Sequence, residues 1–131
     1  MIKVIVAGRR KAGMTRDEMH QHALMVHAKL VQTCPGFWQH CHRYVQNHII
    51  AQVDFETGTL MQGDQAEYDV LSEFWFDSIE TAMKAWGSDD YFRILKPDEQ
   101  KITDPDVKYL MLFTTEHLIG GSNPTMSRSA I

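Results

Sequence analysis

No stretch of this 131-residue sequence approaches the roughly 20 apolar residues that a membrane-spanning helix needs; the longest runs, 2–8 and 110–113, are strand-sized. A membrane is therefore not an expected partner. Cysteine is scarce, with only Cys34 and Cys41. Two thiols allow one disulfide at most, and reduced cysteines in a cytoplasmic protein are the simpler reading. An excess of positive charge is also missing: 13 Lys and Arg stand against 17 Asp and Glu, for a net charge of −4. No basic field is available to attract a phosphate backbone, so no nucleic-acid partner is expected. The N-terminus opens on a strand pattern with no signal-peptide features, which again points to the cytoplasm. Nor does the sequence contain a Gly-rich phosphate loop, a nucleophile elbow or a Cys-x-x-Cys pair. No cofactor is expected, and any chemistry falls to ordinary ionisable side chains.

What is present suits one folded domain with one core: 44% of residues are hydrophobic and 23% charged. Residues 2–10, rich in Val and Ile, read as a strand closed by the charged turn Arg9-Arg10-Lys11. Residues 15–30 read as a helix. Thr15 and Glu18 form a capping box, and Met19, Ala23, Val26 and Leu30 make its apolar stripe. Pro35-Gly36 ends it, and 37–48 reads as a long strand. Residues 53–67 are expected to be a loop and 69–76 a strand. A helix capped by Asp77-Ser78 runs to Trp86 with Ile79, Ala82, Met83 and Trp86 inward. Residues 88–95 form a short helix ended before Pro97, and 107–117 is the last strand. From Gly120 the chain is a tail rich in Ser, Gly and Pro, giving a domain over 1–119 and a tail over 120–131. The order β-α-β-β-α-β predicts an α+β, ferredoxin-like split βαβ: a four-stranded antiparallel sheet with helices on one face. Its other face is left apolar and uncovered, which predicts a homodimer.

The residues that stand out are ionisable groups at positions where apolar ones are expected. His27 lies about 80° round the helix from Met19, at the edge of the core face. It reads either as a packed structural histidine or as an acid, base or substrate donor. Glu73, between Leu71 and Trp75 on one strand face, is expected to be partly desolvated and paired. Tyr44, Gln46 and His48 share one strand face, and alternation groups His117 with Tyr109, Met111 and Phe113. His40 with His42, and His20 with His22, are the only pairs that suggest metal ligation, and no further ligand completes a set. No metal is expected. Cys41 has no activating neighbour and is not expected to be a nucleophile.

These residues resemble the EthD family of the dimeric α+β barrel superfamily. The likeness is carried by Ile2-Lys3-Val4 and Arg9-Arg10-Lys11-Ala12-Gly13-Met14-Thr15, then Val26-His27-Ala28 and Tyr44-Val45-Gln46-Asn47-His48. It continues through Glu73-Phe74-Trp75-Phe76-Asp77-Ser78 to Glu116-His117-Leu118-Ile119. The resemblance implies a dimeric α+β barrel with a small-molecule pocket between sheet and helices. It also implies cofactor-free work on ring compounds, and names His27, His48, Glu73 and His117 as polar pocket residues. The expected activity is that of a cofactor-independent lyase or isomerase of dehydratase, decarboxylase or cyclase type, acting on a hydrophobic oxygenated cyclic substrate, aromatic or polyketide-derived. In this expectation His27 or His48 is the base, Glu73 orients or protonates, and Tyr44 donates to the developing oxyanion. Gln46, Trp75, Tyr109, Met111, Phe113 and His117 line the site. The alternatives are a cofactor-free monooxygenase of phenolic or anthrone rings and a non-catalytic accessory protein of an oxygenase system. The 53–67 loop and the tail depart from the compact family pattern.

Overall fold

The computed structural model describes residues 1–107 and 109–121. Strand β1 (Ile2–Gly8) leads into a helical stretch, α1, over 16–32. The capping box is formed: Thr15 N–H donates to Glu18 Oε1 at 2.9 Å, and Glu18 N–H donates to Thr15 Oγ1 at 3.1 Å. A short helix, α2 (Pro35–Trp38), turns the chain into β2 (Cys41–His48). A small hairpin of β3 (Ala51–Val53) and β4 (Leu60–Gln62) precedes β5 (Val70–Phe76), α3 (Ile79–Trp86), α4 over 91–102 and β6 (Leu110–Thr114). Four strands form one antiparallel sheet in the order β2-β5-β1-β6, the expected split βαβ topology. No helix among the described residues is long and apolar enough to cross a membrane.

Several local expectations are corrected. The 53–67 segment is part of a hairpin with a 3₁₀ turn, not only a loop. The strand expected over 37–48 begins at Cys41, because Phe37 and Trp38 are helical. A register shift between Cys41 and Arg43 then puts buried Cys41 and Tyr44 on the same side. The helix expected to stop before Pro97 continues to Ile102. The expected tail lies, from 122 on, outside the described residues.

Both long helices contain a π turn: Ala23–His27 in α1 and Tyr91–Leu95 in α4. There the backbone bonds run from residue i+5 to residue i, as from Ala28 N–H to Ala23 O and from Lys96 N–H to Tyr91 O. Each such turn holds an extra residue and rotates the buried face of the helix beyond it. In α1 the rotation brings His27 inside, at 9% exposure, and leaves Val26, expected in the apolar stripe, 42% exposed. In α4 the wider turn precedes Pro97, whose ring and missing N–H would break a plain α-helix.

Val4, Phe37, Phe74, Phe76, Ala82, Ala85 and Leu95 form the core between sheet and helices. In α3 Ala82 and Trp86 of the expected stripe turn inward together with Ala85, while Ile79 and Met83 are each 55% exposed. At the far end of the sheet Asp69, fully buried, ties three elements together. It accepts from Arg10 N–H at 2.8 Å, Arg10 Nη1 at 2.9 Å and Arg16 Nε at 3.0 Å, while its carbonyl accepts from His20 Nε2 at 2.7 Å. Burial pushes the Asp69 carboxyl up, but the arginine N–H groups outweigh it and hold the group below its ordinary range.

Asp69→Ala should lower stability by about 3–5 kcal/mol in urea denaturation, because Arg16 is left buried without its counter-charge. The depressed Asp69 value gives stability that is full above about pH 4 and lost as pH falls through the folded-state value. The variant should therefore show a shallower loss of stability in acid than the parent. Equal stability of the two proteins would show that the cluster does not hold the fold.

Candidate functional site

The alternation of the strands decides which side chains meet. Tyr44 pairs in register with Phe74, and Val6 with Met111, on the side that faces the helices. Between this side and the helices lies a cavity of about 240 Å³. Its apolar wall includes Val6, Met19, Val70, Phe74, Trp86 and Met111, and its polar lining includes His27, Tyr44, Gln46, Tyr91, Glu99 and Tyr109. Gly8 also lines it: a Cβ there would overlap the Tyr109 ring, so glycine is what lets Tyr109 lie against β1.

The helices supply the ionisable groups. Asp98, 3% exposed, accepts from His22 Nε2 at 2.9 Å and from His27 Nδ1 at 2.9 Å. Burial raises the Asp98 carboxyl, but the two imidazole hydrogen bonds outweigh it, and the group stays below its ordinary value. Since Asp98 is an ionised acceptor, the neutral form of His27 carries its proton on Nδ1 and has its lone pair on Nε2. That Nε2 lies 3.6 Å from Glu99 Oε2, beyond direct hydrogen-bond range. Tyr91 donates its hydroxyl to Glu99 Oε1 at 2.7 Å. Burial is the main cause that pushes the Glu99 carboxyl up, so it holds its proton to higher pH than an exposed glutamate.

On the sheet side, Tyr44 stacks on Phe74 with centroids 4.5 Å apart, and burial pushes its phenol up. Its oxygen accepts from Gln46 Nε2 at 2.8 Å and is also bonded by Ser72. The Tyr44 O–H donates either to Ser72 Oγ or into the cavity. Gln46 Nε2 donates to Ala23 O at 2.7 Å as well, and Gln46 Oε1 accepts from His48 Nε2 at 2.9 Å.

Of the residues expected from sequence, the fold brings His27, Tyr44, Gln46, Tyr109 and Met111 into this cavity. His48 lines a neighbouring groove with Leu24, Ala28 and Trp38, stacks on His20 at 4.5 Å, and is shifted down first by burial and then by His20. Glu73 and Trp75 project from the opposite side of the sheet. There Glu73 pairs with Lys3 and accepts from Asn47 Nδ2 at 2.8 Å, and Lys3 and Arg43 approach the Trp75 ring at 5.1 Å and 4.8 Å. Phe113 shares the cavity side by register with Val4 but does not line the cavity. His117 lies beyond the end of β6, exposed and bonded to Thr115 Oγ1 at 3.2 Å.

The remaining histidines have protein partners: His40 bonds Gln39 and His42 bonds Asp77. No group of three or more His, Cys, Asp and Glu arranged for a metal occurs among the described residues. Burial pushes the Cys41 thiol up to about 11, away from the reactive thiolate. Sequence reasoning missed Tyr91, Asp98 and Glu99, the last two because the helix was ended before Pro97.

Comparison with known proteins adds a family and a fold. The family model described as the EthD domain matches residues 11–106. A crystal structure of an ethyl tert-butyl ether D (EthD) family protein from Bacillus halodurans C-125 is 16% identical, with a TM-score of 0.62 over 89% of this chain and 99% of that one. The Arabidopsis thaliana protein At3g17210, as refined by ensemble refinement, is 12% identical, with a TM-score of 0.60 over 92% of this chain and 99% of that one. Its solution structure gives 14%, 0.55, 91% and 90%. Among curated proteins no significant match is found.

Asp98→Asn should cost about 1.5–3 kcal/mol in urea denaturation, since an amide nitrogen cannot accept from an imidazole N–H. Nitrogen NMR should show His27 protonated on Nδ1 in the parent protein and a mixture of tautomers in the variant. An unchanged tautomer would show that Asp98 does not orient His27.

Proposed function

The chain belongs to the EthD domain family, and from that membership and the cavity we propose that it is a cofactor-independent lyase of dehydratase type acting on an oxygenated cyclic substrate. The observation that carries the proposal is His27, held by Asp98 with Nε2 facing Glu99 inside an apolar cavity. His27 Nε2 removes a proton from the carbon next to a ring carbonyl. The Tyr44 O–H donates to the enolate oxygen as it forms, where a low-dielectric surrounding makes a fixed donor most effective. Glu99 gives its proton to the departing hydroxyl, which leaves as water. The imidazolium and carboxylate so formed face each other, and return of the proton from Nε2 to Oε2 resets the pair. In this scheme Glu99 takes the acid's part first expected of Glu73, and His48 acts on the site only through Gln46.

A second copy would cover the open side of the sheet. There Leu110 and Leu112 are 39% and 49% exposed beside the Lys3–Glu73 pair. Sedimentation equilibrium at micromolar concentration should give twice the 15.1 kDa chain mass; a 15.1 kDa species alone overturns the dimer.

The catalytic proposal is tested with β-hydroxy cyclic ketones, following water loss by absorbance. His27→Ala should reduce turnover by about 10²–10⁴-fold with an unchanged circular dichroism spectrum. Full activity of that variant removes His27 from the mechanism. Turnover that ceases without oxygen assigns a monooxygenase in place of a dehydratase.

A further inference from the structure

We infer that the cavity selects uncharged ligands: a ketone or phenol on one or two rings enters, and the carboxylate of the same shape is turned away. The inference rests on the acid–base proposal for its choice of cavity, and on charge and size for the rest.

Among the described residues, no Lys or Arg lines the cavity. The nearby cations are engaged elsewhere. Arg10 and Arg16 hold Asp69, Lys3 pairs with Glu73 and Glu116 on the opposite side of the sheet, and Lys96 rests 5.4 Å from the Phe92 ring centroid, off the lining. The single imidazole in the lining, His27, already has a carboxylate partner, Asp98 at Nδ1, and its Nε2 faces the Glu99 carboxyl. A protonated His27 is thus neutralised by the protein itself. An anionic ligand would enter as a second carboxylate beside Asp98, losing its hydration against Val6, Phe74, Trp86 and Met111 with no counter-charge to replace it. A carbonyl or hydroxyl meets no such penalty, because the Tyr44 O–H donates to it and the His27 Nε2 lone pair accepts from it.

Size narrows the class. At about 240 Å³ the cavity exceeds the roughly 150 Å³ that accommodates benzene and falls short of the roughly 300 Å³ at which drug-sized sites begin. One ring or two fused rings fit. Charge selection also bears on the reaction, since a decarboxylation substrate arrives as the acid that the cavity rejects, whereas a dehydration substrate is neutral throughout.

The test compares 2-acetylnaphthalene with 2-naphthoate, which differ chiefly in charge, by isothermal titration at pH 7 with the dehydratase assay run in parallel. The ketone should bind at least about 100-fold more tightly. In Glu99→Gln, which keeps the neutral side chain of the protonated acid, both affinities should stay within a factor of about three. Equal affinities, a preference for naphthoate, or no binding of either compound overturns the inference. Selective ketone binding without turnover of any hydroxy ketone sinks the catalytic proposal alone, and turnover with equal affinities sinks charge selection alone.

Discussion

A carboxylate buried as deeply as Asp98 is stable only if its charge is met by donors, and here two imidazole N–H groups meet it. Much of the cavity's arrangement stems from that requirement. Both histidines lie on α1, five residues apart, and α-helical geometry would set them about 140° round the helix from one another. The π turn Ala23–His27 brings both to one carboxylate. Asp98 reaches them from α4, just beyond a second π turn and a proline. The same contact that ties the two helices together sets Nδ1 of His27 as the donor to Asp98 and turns Nε2 toward Glu99.

Polar ties act beside the buried Met19, Ala23 and Val31 in holding α1. Its start is fixed by Arg16 and His20 on Asp69 and its middle by His22 and His27 on Asp98, while Leu24, Met25 and Val26 between them are 54%, 54% and 42% exposed. The sheet separates a different pair of roles. One side carries Tyr44, Gln46 and Ser72 toward the cavity. The other carries Glu73, whose desolvation is met by Lys3 and Asn47 with no need of a substrate.

The parts legible in the sequence are those set by local periodicity. The Thr15–Glu18 box, the strand topology, and the placing of Tyr44 with Gln46 and Tyr109 with Met111 all come from capping chemistry and two-residue alternation. Alternation also put His48 on the correct side, but the next position along that strand falls under a different part of α1 and so into the next groove. What was not legible depends on a departure from regular period. A π turn leaves no mark in a pattern of apolar residues, so Val26 was taken as buried in place of its neighbour His27. Pro97 ordinarily signals the end of a helix, and taking it so removed Asp98 and Glu99 from view. The register shift after Cys41 likewise puts Cys41 on the Tyr44 side, where plain alternation would set it opposite.

The π turn in α1 also connects His27 to the opposite wall. Ala23, its first residue, accepts from Gln46 through its carbonyl, and His27, its last, carries the lone pair. Gln46, held there and by His48, uses its second N–H on the Tyr44 oxygen. With the Gln46 N–H on its oxygen, the phenol keeps its O–H to donate, to Ser72 or into the cavity. A proton acceptor on the helix and a proton donor on the sheet are thus positioned from the two ends of one turn. Shortening that turn by a residue would disturb both together, which is a physical reason for so costly a helical irregularity to stand at this point in the chain.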